Sequence, residues 1–321
     1  MSLRGRAAAL ARRIRLLIGA ERPIVLMYHR VETLQVDPWR LAVAPDRFAR
    51  QIALLSRRRR VVPLSWLAGE LAAGRLPRHV AAVTFDDGYA DLYRNALPVL
   101  AAARCPATVF VTTGATDRPD GFWWDALTRL VLETPVLPPR LDLAAGGLRV
   151  AGAVPEDPAG RGALLAAIHG PLRVAGEAAR RDAMAALHDW AGLAPEPRPR
   201  DRAMTSAEIA AMAASGWVEI GGHTVTHPSL PALSPEAAAA EVREGRECCR
   251  ALSGQPVTGF AYPFGDQDPA VRAAVREAGF GHAVTTVAAP ARAGTDPLAI
   301  PRLLAADWDE ETFAQEVLRH G

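Results

Sequence analysis

Short, continuous apolar runs alternate with amphipathic stretches along most of this chain, and that rhythm predicts its elements. Ile24–Tyr28 (IVLMY), Val80–Phe85 (VAAVTF) and residues 107–112 (ATVFVT) lack in-out alternation, so they predict strands buried on both faces of a parallel sheet. Residues 48–55 and 64–73 carry helical spacing, with Ser65 as a candidate cap, and Val61 and Val62 read as a short strand. After Phe85 the run breaks at DDG, and Tyr89, Leu92, Tyr93, Ala96, Leu97 and Leu100 then repeat with a helical period. The same alternation resumes after PRPRD. Thr205 and Glu208 have capping-box spacing for a helix through Ala214, WVEIGGH reads as strand and loop, and PEAAAAEVREGRECCRAL as a long helix. VTGFAYPFG is again strand and loop, AVREAGF ends a helix, HAVTT is strand-like and LAIPRLLAADW closes the core. Repeated strand-helix units imply an α/β fold with a mainly parallel sheet covered by helices.

Residues 117–200 depart from this rhythm. They hold the aromatic run GFWWDAL, a Pro/Gly-rich stretch from Pro135 to Gly162, and helical patterns at 163–169 and 176–190. Without the spaced strands of a second sheet, they are expected to form a largely helical insertion or cover within a domain spanning 22–321. Residues 1–21 form a separate basic segment whose arginines at 4, 6, 12, 13 and 15 interrupt any run of signal-peptide or membrane-spanning length. There, residues 7–19 predict an amphipathic helix with Leu10, Ile14, Leu17 and Ile18 on one side, suited either to packing or to peripheral contact with an anionic membrane.

Composition narrows the function. The 321 residues are 50% hydrophobic and 22% charged, which excludes a mainly disordered chain. With 37 Lys+Arg against 35 Asp+Glu the net charge is +2, so no global field favours a nucleic-acid partner, and Arg57 to Arg60 reads as a solvated helix end. No dinucleotide or P-loop glycine motif occurs. Cys105, Cys248 and Cys249 make neither a disulfide framework nor a Cys-x-x-Cys site.

Chemistry-bearing residues instead follow the apolar strands: His29, Asp86 with Asp87, His223 with His227, and the loop Tyr262 to Asp266. Strand carboxyl ends are where α/β proteins assemble sites. Alone, the Asp86-Asp87 doublet fits either a solvated turn that caps a helix near Tyr89 or a site where a cation offsets two adjacent carboxylates. His223 and His227 have a helical spacing, yet Gly221, Gly222, Thr224, Val225, Thr226 and Pro228 oppose a helix. A loop can still aim both rings at one ion; two unrelated hydrogen-bonded histidines are the other reading. Two His and one Asp suit Zn²⁺, or another divalent transition ion such as Co²⁺ or Ni²⁺, with an open position for water.

VTFDDGYAD, GGHTVTHPSL and FAYPFGD resemble, in order, motifs of the polysaccharide deacetylases with a NodB-like domain, carbohydrate esterase family 4. The resemblance spans most of residues 22–308 and implies a deformed (β/α) barrel that removes acetyl groups from N-acetylated sugars. By it, Asp87, His223 and His227 match the metal ligands and Asp86 the general base, and Phe264 falls where a backbone N–H faces the tetrahedral oxyanion. The usual motif arginine is Ala261 here, and Arg302 is a candidate to replace its charge. Many relatives carry a late Leu-x-His motif that supplies the general acid; residues 296–321 lack it, and their histidine is His320. Relatives acting on exopolysaccharides look permuted and take that histidine from an early Tyr-His segment, which Tyr28-His29 matches; His282 is the competing donor.

The implied reaction is attack of water on an amide carbonyl polarised by the metal, with Asp86 taking the water proton and His29 protonating the departing amine. Phe122, Trp123 and Trp124 fit sugar stacking or a packed anchor, and Tyr89 and Tyr93 fit buttresses of the acidic loop. Two other functions use the same residues: hydrolysis of a small linear or cyclic amide, and noncatalytic glycan binding or scaffolding. Expected partners are an N-acetylated glycan or a lipid-linked or nucleotide-linked sugar. The absence of an export pattern gives a cytoplasmic expectation, at the inner face of the membrane if the first helix touches lipid.

Overall fold

The computed structural model describes residues 22–318; the basic helix expected in 1–21, and His320, lie outside them. The strands are β1 (Ile24–Tyr28), β2 (Arg60–Val61), β3 (Val80–Phe85), β4 (Ala107–Val111), β5 (Arg140–Ala145), β6 (Leu148–Ala153), β7 (Val218–Gly222), β8 (Gly259–Ala261), β9 (His282–Val284) and β10 (Leu303–Leu304). The helices are α1 (Pro45–Arg58), α2 (Leu64–Ala72), α3 (Leu97–Ala102), α4 (Trp123–Thr128), α5 (Pro158–Val174), α6 (Glu177–Ala191), α7 (Ser206–Ala214), α8 (Pro235–Ser253), α9 (Pro269–Glu277) and α10 (Glu310–Phe313).

Among the described residues eight strands form one sheet in the order β10-β1-β3-β4-β7-β8-β9, with β2 also on β3, and the paired strands run parallel. The sheet curls toward closure through a parallel bridge between Val284 and Ile300, which leads into β10. The result is the deformed α/β barrel that the sequence implied.

Side-chain parity explains both the apolar runs and the position of the site. Ile24, Leu26 and Tyr28, like Ala81, Val83 and Phe85, pack outward into the main core, whereas Val25, Val80, Ala82 and Phe110 join a smaller cluster inside the curl. Because strand side chains alternate, His29, Thr84, Asp86, Glu219, His223 and Arg302 fall on the inner face. Gly221 is needed there for space, since a Cβ on it would lie 2.4 Å from the Phe110 ring.

Local differences from the sequence expectations have physical causes. Ser65 sits inside α2 rather than capping it; Pro63 precedes the helix, and the Ser65 hydroxyl donates to Glu219. The helix expected from Tyr89 opens with a wide π turn at Leu92–Ala96 before α3, because Pro98 has no N–H and its ring crowds the preceding turn. Thr205 and Glu208 form the expected capping box at α7. Residues 117–200 contain, beside α4 to α6, an antiparallel β5–β6 hairpin turning at Gly146 and Gly147, both with positive φ. Its alternating Leu141, Leu143, Leu148 and Val150 around Gly-Gly are a hairpin signal that the surrounding Pro and Gly content obscured. Leu141, Leu143 and Leu148 meet Leu130, Ile168 and Leu187 in a third apolar core, and Trp39 and Trp123 pack against both this core and the main one.

Candidate active site

At the carboxyl ends of the strands, Asp86 and Asp87 follow β3 directly, and His223 follows β7 with its N–H donating to the carbonyl of Val111 (3.1 Å). Parity alone would send Asp87 away from its neighbour's face. A left-handed backbone at Asp87 (φ 70°), relieved by Gly88 (φ 87°), turns its carboxylate back into the site. Thr224, His227 and Phe264 also adopt positive φ, so uncommon backbone geometry gathers around one point.

That point joins three ligand groups. Nε2 of His223 and Nε2 of His227 each lie 3.4 Å from Oδ1 of Asp87, and the two nitrogens are 3.2 Å apart. Ligands about 2.0–2.1 Å from a tetrahedral first-row ion would be separated by roughly 3.3–3.4 Å, so the spacing fits such an ion. All three side chains are buried. Nδ1 of His223 is 2.7 Å from the carbonyl of Ala261, which fixes the tautomer that leaves Nε2 free to ligate. Burial would strip a proton from His223, but Asp87 and Asp86 outweigh it and raise its pKa; burial and the neighbouring His223 and Arg180 drive His227 well down. The two imidazoles are thus driven in opposite directions, His223 toward and His227 away from the protonated form, and a metal ion competes with protons for their nitrogens. The residues present fit a divalent ion.

Asp86 has a different environment. Burial alone would raise its pKa, but Arg302, itself fully buried, holds it down to about 2 with a two-pronged pair of 2.7 and 2.6 Å. Arg302 is oriented in turn by Thr84 Oγ1 (3.1 Å) and the carbonyl of Thr285 (3.0 Å). Nε2 of His29 lies 3.9 Å from Oδ2 of Asp86, while its Nδ1 is buried without a partner. His29, Asp86, Asp87, His223, His227 and the Phe264 ring line one cavity of about 140 Å³ with Trp39, Leu41, Trp124, His169 and Thr286. His282 is elsewhere. It begins β9 and lines a separate cavity of about 420 Å³ with Ser65, Thr108 and Glu219, where burial pushes its pKa down to about 4.

Several supporting residues carried no motif signal. His227 lacks a partner at Nδ1, so its ring is set by packing between Trp124 (4.8 Å) and Phe264 (4.6 Å) and by its backbone. Arg180 of α6, fully buried, donates to the carbonyls of Thr226 (2.8 Å) and His227 (3.4 Å), while Glu241 of α8 accepts from the N–H groups of Val225 (2.8 Å) and Thr226 (2.9 Å). The histidine loop is therefore clamped from both sides. Trp124 donates to Tyr89 Oη (2.7 Å), which donates to Asp125 (2.8 Å), and buried Arg30 joins Asp91 and Asp201 nearby. Trp124 and Phe122 are buried, so neither is a free stacking platform; Tyr89 buttresses Trp124, and half-buried Tyr93 packs on the main core. Arg173 pairs with Asp266 and lies over the Phe264 ring, tying α5 to the loop after β8. Only their position in space identifies Arg180, Glu241 and Arg173.

The family model for polysaccharide deacetylase matches residues 73–134 and 187–283, which include Asp86, Asp87, His223, His227 and Phe264. The chain has the polysaccharide deacetylase fold. Solved structures with this deacetylase fold include Streptococcus pyogenes deacetylase PplD, 18% identical over 92% of this chain and 97% of that one (TM-score 0.61). IcaB from Ammonifex degensii is 22% identical over 94% and 98% of the two chains (TM-score 0.60). A de-N-acetylase from Aggregatibacter actinomycetemcomitans is 16% identical over 92% and 98% (TM-score 0.59). No curated protein matches significantly. His29, Arg302 and residues 135–186 lie outside the matched deacetylase segments. Among the described residues, no helix is long and apolar enough to cross a membrane.

Proposed function

We propose that this chain is a metal-dependent N-deacetylase of an amino-sugar-containing glycan or glycan precursor, with 117–200 an insertion in its catalytic domain. The observation that carries the reading is the convergence of Asp87, His223 and His227 beside Asp86, a second carboxylate kept ionised by Arg302. The family match and the fold of known deacetylases support an N-acetylated glycan as substrate, and the early Tyr28-His29 pair supports the exopolysaccharide type. The imidazole-carboxylate donor set supports zinc, with cobalt and nickel as substitutes.

Held by Asp87, His223 and His227, a divalent ion supplies Lewis acidity to the acyl carbonyl and acidifies the attacking water. Asp86 takes the water proton, its lone pairs only partly used by Arg302. The Phe264 backbone N–H donates to the oxygen on which negative charge develops. His29, across from Asp86, delivers a proton to the departing nitrogen as the C–N bond breaks. Acetate and a free sugar amine result.

Metal content, together with acetate and new amine detected by mass on a panel of N-acetylated glycans, tests the reading. Asp87→Ala is expected to lose metal and activity together. Asp86→Asn should keep most metal while its rate falls about 100-fold or more. Tight metal binding with full activity in both variants would overturn the assignment, and absence of acetate and amine across the panel would overturn the substrate class.

A further inference from the structure

His169, near the end of α5, is held between two indoles: its ring centroid is 4.1 Å from Trp39 and 5.0 Å from Trp123. Trp39 is itself anchored by donation from Nε1 to Thr128 Oγ1 (3.2 Å). With both faces covered, the imidazole has only its edge to offer, and the ring lines the same cavity as Asp87, His223 and His227. Among the described residues neither ring nitrogen makes a hydrogen bond, and neither is sealed from access. The protein thus leaves the donor and the acceptor of this half-buried ring unpaired beside the cavity, in a slot that an apolar side chain would fill as well. Phe264 separates it from the metal ligands: the His169 ring is 6.4 Å from Phe264, which is 4.6 Å from His227.

We propose that His169 is a specificity-determining residue whose ring edge hydrogen-bonds a hydroxyl of the sugar that carries the N-acetyl group. The inference rests on the deacetylase reading and extends it to a contact made by the insertion, outside the matched family segments. Burial, reinforced by Arg173, pushes the His169 pKa down to about 4, leaving a neutral ring with one donor and one acceptor, as a hydroxyl requires. The indole sandwich fixes the plane of the ring, so little freedom is lost when a sugar binds.

The zinc-loaded protein and its His169→Phe and His169→Gln variants are compared on an N-acetylglucosamine oligosaccharide and on 4-nitrophenyl acetate, which carries the acyl group without a sugar. Phe keeps the stack and removes the nitrogens. It should raise KM for the oligosaccharide about 10-fold with kcat nearly unchanged, leave ester hydrolysis and metal content as in the wild type, and be partly rescued by Gln. A His169→Phe variant equal to wild type on the oligosaccharide, or one that loses both substrates in parallel, overturns the proposal. Wild-type protein that cleaves the ester but no glycan instead rejects the reading on which it rests.

Discussion

Asp86 and Asp87 are adjacent in sequence, yet the left-handed backbone at Asp87 gives them separate partners: a guanidinium for one and two imidazoles for the other. That division of labour resolves the ambiguity of the doublet, which alone suits a solvated turn. In the folded chain Asp86 titrates at about 2 against an ordinary 3.8, so its pair with Arg302 stabilises the fold above 3.8, and the contribution is lost as pH falls toward 2. Arg302→Met leaves burial to act on the carboxyl and lifts its pKa, reversing the sign: the variant should hold most stability below 3.8 and lose it as pH rises. Urea unfolding at neutral pH should show a deficit of about 3–5 kcal/mol that narrows on acidification, with Arg302→Lys recovering part of it. A deficit unchanged across that range would refute the pairing as its cause. His29, Asp86 and His223 were legible as residues of one cavity because each follows an apolar strand; Arg302 was legible only as a candidate to replace the charge of the motif arginine whose place Ala261 takes.

At the scale of elements, the clearest signals were those set by local physics, such as the capping box of α7 and the buried strands β1, β3 and β4. The β5–β6 hairpin was obscured by the Pro- and Gly-rich sequence around it, although its alternating leucines mark the buried face. Neither pattern nor motif could reveal that α6 and α8 grip the histidine loop, because Arg180 and Glu241 act on backbone groups distant in sequence. Arg180→Met should release the carbonyls of Thr226 and His227 and weaken metal binding about 10-fold or more, by the same logic as other outer contacts to metal ligands. Competition with a chromogenic chelator measures this. Unaltered affinity in a folded variant would limit Arg180 to packing α6 against the loop.

For the whole molecule, metal binding, protonation and folding are coupled through the triad. Because Asp87 and Asp86 raise the His223 pKa, uptake of zinc should release about one proton and weaken as the solution is acidified. Calorimetric titration in two buffers of different ionisation enthalpy counts that proton, and chelation should lower the unfolding temperature by removing a ligand of the native state. Affinity independent of pH through the histidine range would contradict it. The parallel α/β architecture was readable from the run of buried strands, whereas closure depended on contacts that no local pattern encodes.

Arg302 reaches Asp86 across 216 positions of sequence and stands beside β10, the strand that pairs with β1. During translation the two aspartates and both histidines leave the ribosome well before this guanidinium does. A truncated product that stops short of it carries the ion-binding groups with an unmatched acid beside them, so the charge balance of the site is complete only once β10 lies beside β1.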